Sequence, residues 1–348
     1  MVDSKYLINQ GLLLIDALKQ INSIGTGPLC LFVVDDNGVM VGTLTDGDIR
    51  RALIKGATIN DIVKNAMNED FNCLHKGVDD NVAQLHRQRE LKMKLVPVLD
   101  EDGHIIEIIN LERFITKLPI DAVMMAGGKG ERLRPLTEKT PKPLLKVGEK
   151  SIIDYKVERL ITYGVNNITV TVNYLGEQIE EHFSKPIKGV NVNCVREPKF
   201  LGTIGSIKFV KEFYNDTVLV MNSDLFTNIN YEDFFLHFKE HDADMSVAAI
   251  PYTVSVPYGI FDLEGRNIQG LIEKPTYNYY ANAGIYLIKR NLLEEIPGNT
   301  FFNATDFIEL LIKEKRKVIR FPITGYWIDI GKHEEYNKAQ DLVKHLHF

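Results

Sequence analysis

Apolar runs alternate with amphipathic stretches after Ile120, and this alternation is the main structural signal in the chain. Strands are predicted at residues 167–172, 190–195 and 217–221. Helices are predicted at residues 153–162, 177–183 and 206–212. The alternation of strand and helix indicates βαβ units and a mainly parallel sheet with helices on both faces. We therefore expect an α/β, Rossmann-like domain over residues 119–348.

The first part of the chain contains an internal repeat. Residues 33–38 read V-V-D-D-N-G and residues 98–103 read V-L-D-E-D-G, at an offset of 65 residues. Each copy has a helical stretch (near 12–21 and 80–91), a strand, an acidic turn with glycine that suits a tight hairpin, a second strand and a closing helix. We predict an α+β domain over residues 1–117, with copies at 1–58 and 66–117. Leu118-Pro119 then interrupts the helix.

Composition narrows the class of protein. The chain has 348 residues, of which 45% are hydrophobic and 25% charged, as in ordinary globular proteins. No apolar run approaches the roughly 20 residues that a membrane helix needs, and no signal peptide is evident. The three cysteines lie far apart, which fits reduced thiols. We expect a cytoplasmic protein without a membrane segment.

Residues 126–143 carry the most specific motif, A-G-G-K-G-E-R-L-R-P-L-T-E-K-T-P-K-P, directly after an apolar run. The glycines can take positive φ and leave backbone N–H groups uncovered. Residues 129–150 contain seven Lys or Arg against three Glu, in a chain with a formal net charge of −6. A basic loop in an acidic protein predicts a local polyphosphate site, not a nucleic-acid surface.

Two familiar phosphate motifs do not fit this loop. No Gly-Lys-Ser/Thr follows the glycines, which argues against a P-loop. The third glycine of a dinucleotide fingerprint is replaced by Leu133, and the next strand is followed by Asn173 where an acid would bind a ribose.

Two aspartates follow short apolar strands further along the chain. Asp224 lies in M-N-S-D-L-F and Asp329 in G-Y-W-I-D-I-G. Either aspartate alone is more often a cap or a turn residue. Ligands of α/β sheets lie beyond the carboxyl ends of the strands, where an acid can reach a metal ion that bridges phosphates.

Together these motifs resemble the sugar-1-phosphate nucleotidyltransferases (nucleoside-diphosphate-sugar pyrophosphorylases) over about residues 119–345. The resemblance implies that Arg132 acts on the pyrophosphate side and that Lys142 holds the α-phosphate. It also implies that Asp224 and Asp329 hold Mg²⁺. Glu131 departs from the family pattern, which usually has Thr or Ser. A carboxylate there repels phosphate unless it faces away or helps to hold the metal.

The resemblance further implies which residues bind the nucleotide: Ala126, Gly127, Gly128, Gly130, Glu197, Gly202 and Thr203. A carboxylate at Glu197 can accept two hydrogen bonds from the N1–H and amino group of guanine. The paired edge of thymine or uracil includes only one N–H donor, so we favour GTP. Gly202 permits close approach to the base plane. The alternative is that Glu197 only anchors its loop.

Four residues are implied to bind the sugar phosphate: Gly259, Glu273, Lys274 and Asn282. By the resemblance, Gly259 approaches a sugar hydroxyl, Glu273 accepts hydroxyl hydrogen bonds, Lys274 holds the phosphate and Asn282 contacts the ring. Alternatively, Glu-Lys-Pro is a polar turn at the end of a strand, and Asn282 is a strand-edge residue.

The N-terminal copies resemble a pair of cystathionine-β-synthase-type (CBS) repeats. Such pairs often bind adenine nucleotides and often dimerise, so we expect a homo-oligomer through these repeats. Residues 42–48 are close to the family pattern in which a Thr and an Asp, here Thr45 and Asp48, hold a ribose. The second copy has Asn110 and Arg113 instead. Alternatively, Thr45 and Asp48 cap a helix.

The activity expected from these features is transfer of a nucleoside monophosphate from an NTP, with GTP favoured, to a hexose or hexosamine 1-phosphate. The domain order resembles guanylyltransferases acting on glucosamine 1-phosphate, and is compatible with mannose or heptose 1-phosphate. Alternatives are a thymidylyl- or uridylyltransferase on glucose 1-phosphate, a nucleotide-sugar-dependent glycosyltransferase and a non-enzymatic nucleotide sensor. The single aspartate in N-S-D argues against the glycosyltransferase.

Overall fold

The structure, a computed structural model, describes residues 3–77 and 81–345. The chain divides into two compact units, Met1–Lys117 and Leu118–Phe348. Each unit has hydrophobic clusters of its own.

In its described residues, the N-terminal unit contains two small sheets and three α-helices. Its strands are β1 (Leu7–Asn9), β2 (Cys30–Val34), β3 (Met40–Thr45), β4 (Leu74–His75), β5 (Leu95–Leu99) and β6 (Ile105–Asn110). Its helices are α1 (Leu14–Ile24), α2 (Asp46–Ile54) and α3 (Asn81–Glu90). The predicted start of α3 at Asp80 lies outside the described residues.

The two sheets repeat one topology. In each, a short strand pairs in parallel with the first strand of a hairpin: β1 with β2, which pairs with β3, and β4 with β5, which pairs with β6. The hairpin turns are also alike. Asp35 accepts hydrogen bonds from the N–H groups of Asn37 and Val39, and Asp100 from those of Asp102 and His104. The predicted internal repeat is therefore present in the backbone.

The closing helix predicted for the second copy is wrong. α2 follows β3 in the first copy, but β6 is followed by a turn in which the N–H groups of Arg113 and Phe114 both bond to the carbonyl of Asn110. Only a few residues separate this turn from Pro119, and proline cannot continue a helix. The second copy is shortened at its C-terminal end.

The C-terminal unit is larger. Its strands are β7 (Ile120–Ala126), β8 (Lys146–Val147), β9 (Lys150–Ser151), β10 (Ile168–Val172), β11 (Val192–Arg196), β12 (Thr217–Asn222), β13 (Leu225–Thr227), β14 (Met245–Ser255), β15 (Ile260–Glu264), β16 (Asn267–Ile272), β17 (Thr276–Lys289), β18 (Val318–Pro322) and β19 (Trp327–Asp329). Its helices are α4 (Ile152–Thr162), α5 (Gly176–His182), α6 (Tyr231–Glu240), α7 (Ala304–Lys313) and α8 (His333–Val343).

Seven of these strands form the central sheet, in the order β11-β10-β7-β12-β17-β14-β18. β17 runs antiparallel to both of its neighbours, and the remaining pairs are parallel. The inner strands β7 and β12 are almost continuously buried, as expected for strands that helices cover on both faces. The prediction of an α/β, mostly parallel sheet is confirmed.

The helix predicted over residues 206–212 is wrong. The segment forms only a short 3₁₀ helix, Gly205–Phe209, and Val210 is extended. The N–H of Gly205 bonds to the carbonyl of Phe302, and a Cβ at Gly205 would lie 2.8 Å from the carbonyl oxygen of Thr300. This close contact with a distant segment, absent from the local pattern, holds the backbone out of an α-helix.

Among the residues that the structure describes, no helix is long and apolar enough to cross a membrane. The thiols of Cys30, Cys73 and Cys194 are all free.

Candidate active site

The carboxyl ends of the parallel strands β7, β10, β11 and β12 border a cleft of about 610 Å³ in the C-terminal unit. The described residues that line it include most of those that the sequence assigned to phosphate and nucleotide binding. They are Ala126, Gly127, Gly128, Gly130, Glu131, Arg132, Lys142, Glu197, Gly202, Thr203 and Asp224, with Thr171, Asn173, Ser206, Asn222 and Gly331 beside them.

The glycine loop after β7 is shaped by close contacts. A Cβ at Gly127 would lie 2.0 Å from Oε1 of Glu197, so a larger residue would displace that carboxylate. Gly130 has a φ of 61°, and its carbonyl accepts a hydrogen bond from the Thr137 hydroxyl at 2.8 Å. A Cβ at Gly128 would meet no described atom within 4 Å. The loop therefore presents open backbone to the cleft at Gly128 and is fixed on either side of it.

Lys142 is the centre of the charged part of the cleft. It begins the 3₁₀ helix Lys142–Leu144, and its side chain is buried. Its Nζ lies 2.5 Å from Oδ2 of Asp224 and 4.0 Å from Oδ1 of Asp329. The two carboxylates meet because β13 pairs with β19 in a register that places Leu225 opposite Asp329. A cation and two anions from three distant segments thus converge.

The electrostatics of this group fit a divalent cation. Burial, followed by the negative charge of Asp224, raises the pKa of Asp329, while Lys142 and Arg132 oppose the shift. Oδ1 of Asp224 is buried and has no hydrogen-bond partner within the described part of the chain. A carboxylate oxygen without a partner, next to a second carboxylate, is the donor set that Mg²⁺ takes alongside water and phosphate. No cluster of three or more His, Cys, Asp or Glu side chains suited to a metal occurs in residues 3–77 and 81–345.

Lys156 is a charged residue of the site that the sequence analysis missed. It lies on α4 with its side chain fully buried, and its Nζ donates to the carbonyl of Ser223 at 2.8 Å, one residue before Asp224. Burial lowers its pKa to about 7, and the negative charges of Asp224 and Asp329 only partly oppose this. The signal was present in the sequence, because Lys156 occupies the apolar stripe of α4 with Ile153, Val157 and Leu160.

Arg132 and Glu131 share the short 3₁₀ helix after Gly130, and both are exposed. Arg132 reaches the segment that follows Asp329, since a Cβ at Gly331 would lie 3.1 Å from Nη2 of Arg132. Its charge also acts on Asp329. Glu131 is also among the described residues that line the cleft.

Glu197 follows β11 and is buried at the floor of the cleft. Its Oε2 accepts a hydrogen bond from the N–H of Leu201 at 3.1 Å. Burial raises its pKa to about 7, since this single hydrogen bond offsets only part of the cost of removing the charge from water. Glu197 therefore anchors its loop and also presents a titratable group to the cleft.

Gly202 and Thr203, at the end of this loop, contact the start of α7. A Cβ at Gly202, which has a φ of 81°, would lie 2.6 Å from the carbonyl oxygen of Phe302. The Thr203 hydroxyl accepts a hydrogen bond from the N–H of Ala304 at 2.9 Å. The structure thus assigns the glycine at 202 a packing role in addition to the predicted approach to a base.

A second cavity of about 360 Å³ lies beside the cleft and shares Thr203 and Asn222 with it. Asn282 and Asp329 line this cavity. The Asn282 amide donates to the hydroxyl of Tyr286 at 3.0 Å and accepts from the N–H of Gly284 at 2.9 Å. Asn282 is therefore held in place at the wall of a space next to the charged group.

The other predicted sugar residues are not brought to these cavities. Gly259, Glu273 and Lys274 are exposed and are not among the described residues that line either cavity. Gly259 and Glu273 do meet one another, since a Cβ at Gly259 would lie 3.0 Å from Oε2 of Glu273. They flank the hairpin β15–β16.

Thr45 and Asp48 form a capping box at the start of α2. The Thr45 hydroxyl accepts from the N–H of Asp48 at 3.2 Å, and the Asp48 carboxylate accepts from the N–H of Thr45 at 2.8 Å. Oδ1 of Asp48 also lies 2.5 Å from Arg51. The capping alternative describes the contacts that these two residues make in the structure.

Comparison with known proteins identifies the family. Residues 121–345 match the nucleotidyl transferase family, and residues 6–55 match the CBS domain. The first match covers more than half of the chain, so the chain belongs to the nucleotidyl transferase family. The predicted enzyme class is confirmed. Nucleotidyltransferases of this family generally use a divalent metal ion.

The two curated relatives described next share less than a third of the aligned residues with this chain. The chain is 30% identical over 227 residues to mannose-1-phosphate guanyltransferase of Schizosaccharomyces pombe, and 27% identical over 224 residues to the catalytic subunit beta of mannose-1-phosphate guanylyltransferase of Xenopus tropicalis. Each alignment covers 62% of this chain and 62% of the relative, so the chain spans less than two thirds of these curated relatives.

Among solved structures, HddC from Yersinia pseudotuberculosis complexed with GMP-PN is similar, with a TM-score of 0.51 and 26% identity over 64% of this chain and 99% of HddC. A UDP-glucose pyrophosphorylase from Acinetobacter baumanii shares the fold, with a TM-score of 0.50, 19% identity and coverage of 64% of this chain and 92% of that chain.

The buried Lys156 leads to a prediction about stability. Its folded-state pKa of about 7 lies below the ordinary value of 10.5, so between these values the unfolded chain binds a proton that the folded chain does not. Stability from this group therefore rises with pH across that window. We expect Lys156→Met to gain stability over the natural protein at pH 7 and to lose this advantage towards pH 10, by roughly 1 kcal/mol per pH unit.

Urea unfolding followed by the fluorescence of Trp327, the one tryptophan of the chain, measures this difference. Lys150→Met, at a half-exposed lysine paired with Glu158, is the control and should show no such pH trend. Parallel pH profiles for Lys156→Met and the natural protein would contradict the assignment.

Proposed function

We propose that this protein transfers a guanylyl group from GTP to a hexose or hexosamine 1-phosphate, giving a GDP-sugar and pyrophosphate. The observation that carries the proposal is the convergence of Lys142, Asp224 and Asp329 in a cleft bordered by a glycine loop and Arg132. The family of the chain and the printed names of its guanylyltransferase relatives support the same reaction.

The chemistry follows from charge. A sugar 1-phosphate is mostly dianionic near neutral pH, because the second pKa of a phosphomonoester is about 6. Its oxygen needs no general base to attack the α-phosphorus of GTP. A new P–O bond forms as the bond between the α-phosphorus and the bridging oxygen breaks, and pyrophosphate leaves with that electron pair. The protein has to bring two polyanions together and stabilise the leaving charge.

Different residues of the cleft bind different parts of the two substrates. Arg132, exposed at the mouth of the cleft, binds the departing pyrophosphate. Lys142 exchanges part of its contact with Asp224 for the α-phosphate. The open backbone at Gly128 adds N–H donors to the phosphates. Asp224 and Asp329 would hold Mg²⁺, which when bound neutralises negative charge on the phosphates.

Glu197 supplies the preference for the base. Its buried carboxylate accepts hydrogen bonds from N1–H and the amino group of guanine, while Gly202 and Thr203 border the same space. Two N–H donors next to a carboxylate favour its ionised form, so guanine binding offsets the cost of burial that raises the pKa of Glu197.

The sugar occupies the second cavity beside Asn282. Gly259, Glu273 and Lys274 contribute to this subsite once the segment that carries them moves towards the cavity. A hexose or a hexosamine fits these polar groups equally well, and thymidylyl or uridylyl transfer is the alternative at the base. A glycosyltransferase would not release pyrophosphate from GTP and a sugar 1-phosphate, whereas the proposed reaction does.

The N-terminal unit is proposed to bind an adenine nucleotide at Thr45 and Asp48, and to contribute to a homo-oligomer. The match to the CBS domain over residues 6–55 supports a nucleotide site in the first copy. Binding of a ribose requires the Asp48 carboxylate to share its oxygens between the cap of α2 and the ligand.

Removing the charges of the cleft should abolish most of the activity. Arg132→Ala and Asp224→Asn are each expected to lower kcat by about 10²–10³-fold, as is typical when one group that stabilises transition-state charge is removed. Pyrophosphate release from GTP with glucose, mannose and glucosamine 1-phosphates measures this. Arg134→Ala is the matched control, because Arg134 lies on the same loop but is not among the described residues of the cleft. Near-normal turnover of Arg132→Ala would refute the proposed role.

Glu197 should control both the choice of base and its pH dependence. Glu197→Gln is expected to weaken GTP binding by about 10–100-fold, the worth of a hydrogen bond to a charged group, with little effect on ATP. In the natural protein GTP binding should weaken below pH 7, because protonation removes the acceptor. This part of the pH dependence should be missing in Glu197→Gln. Calorimetric titration at pH 6 and pH 8 tests it, and identical pH trends in both proteins would exclude base recognition by Glu197.

Equilibrium dialysis of the full chain against AMP, ATP and the GDP-sugar product tests the nucleotide site of the N-terminal unit. Binding of AMP or ATP that is lost in Asp48→Asn, which retains an oxygen for the helix cap, is the expected result. If neither AMP nor ATP binds to the natural protein, or if their binding is unchanged in Asp48→Asn, Thr45 and Asp48 do not form a nucleotide site.

A further inference from the structure

The central strands β14 and β17 continue well beyond the sheet. β18 pairs with β14 only over Met245–Ala249, and β12 pairs with β17 only up to Ile285, whereas the pairing of β14 with β17 extends to Ser255 and Thr276. The two strands thus form a two-stranded ribbon. The hairpin β15–β16 follows at its end. We call residues 250–281 the β-arm.

One face of the ribbon is aromatic. Tyr252 pairs with Tyr279, and Val254 pairs with Tyr277, so these four side chains lie on the same face. The rings of Tyr277 and Tyr279 stack with centroids 6.4 Å apart. The opposite face is polar in its outer part, since the Thr253 hydroxyl donates to the side-chain oxygen of Asn278 at 2.9 Å. Nearer the sheet this face carries Pro251 and Tyr280, and the guanidinium of Arg320 lies 3.8 Å from the centre of the Tyr280 ring. The ribbon therefore has the amphipathic pattern of a sheet with one buried face.

The hairpin carries a second apolar face. Phe261 pairs with Leu271, and Leu263 pairs with Ile268 across a bulge. These four side chains and the four of the ribbon each remain 38–59% exposed in the whole chain, so neither face covers the other. Isolated two-stranded ribbons are marginally stable in water, and apolar patches of this kind mark interaction sites.

We propose that the β-arm pairs with the β-arm of a second copy of this chain. The exposed area of the eight apolar side chains is on the order of 800 Å², which equals the share of one partner in a standard stable interface. The arm is self-complementary in kind, because an aromatic face and an aliphatic face lie on one segment. A two-fold axis lets the aromatic face of each copy cover the aliphatic face of the other.

The pairing also fixes the positions of three residues of the proposed sugar subsite, a point that rests on the proposed function. Gly259 and Glu273 flank the hairpin, and Lys274 follows them with a φ of 46°. Fixing the hairpin in a dimer fixes these three residues together. The pairing itself does not depend on the activity, so its failure and the failure of the proposed function give different results.

Photocrosslinking of the full chain tests the contact directly. With p-benzoylphenylalanine in place of Tyr279, irradiation should give a covalent dimer whose crosslinked peptide comes from residues 252–279 of the other copy. Mixing ¹⁴N- and ¹⁵N-labelled protein identifies the two copies by mass. The same probe in place of Asn278, on the polar face of the same strand, should give at least fivefold less dimer. Absence of a covalent dimer, equal yields at the two positions, or crosslinks that map outside the β-arm would overturn the proposal.

Sedimentation velocity gives a second, independent measurement. The double variant Tyr279→Asp and Leu271→Asp should halve the mass of the assembly where the β-arm is the contact that joins the copies. Where the N-terminal unit joins the same two copies, the double variant should instead raise the dissociation constant of the dimer by at least about tenfold. Asn278→Asp, which adds the same charge on the polar face, should leave the mass unchanged. Unchanged fluorescence of Trp327 shows that the central fold is intact in each variant. A natural protein that is monomeric at micromolar concentration, or a double variant whose mass and dissociation constant are both unchanged, would refute the pairing.

Discussion

The contact of Lys142 with Asp224 and Asp329 is the interaction on which the site depends. A buried ammonium group is costly unless anions compensate its charge, and two neighbouring, partly buried carboxylates repel one another unless a cation lies between them. Lys142 meets both requirements, because its Nζ lies close to both carboxylates. Among the residues that the structure describes, Oδ1 of Asp224 has no hydrogen-bond partner. The site therefore gathers the charges that a metal ion and phosphate groups would compensate under the proposed function.

Around this group, loops from distant parts of the chain pack closely at the ends of the strands. Two of the glycines are needed less for their backbone conformation than for their lack of a side chain. Gly127 leaves room for the Glu197 carboxylate, and Gly202 for the carbonyl of Phe302. These contacts pack the glycine loop after β7, the loop of Glu197 and the start of α7 against one another. The two loops to which we assign phosphate and base binding are thus parts of one packed structure.

The local pattern predicted the elements that depend on their own residues. Strand–helix alternation, the acidic hairpin turns and the cap of α2 follow from short-range chemistry. The prediction failed where a distant segment decides the outcome, as at Gly205 against Phe302. It also overlooked Lys156, since a lysine in an apolar stripe shows no partner until the fold places Ser223 beside it.

By itself, the sequence determined the fold class of the second domain, the internal repeat of the first, and the residue types that phosphate chemistry needs. These features are encoded in periodicity and in motifs whose residues are neighbours in the chain. The tertiary structure decided that Asp224, Asp329 and Lys142 meet, that Glu197 is buried with a raised pKa, and that Glu273 lies on an exposed arm. Distances between segments and the exclusion of water arise only when strands pair and loops pack, so no local pattern contains them.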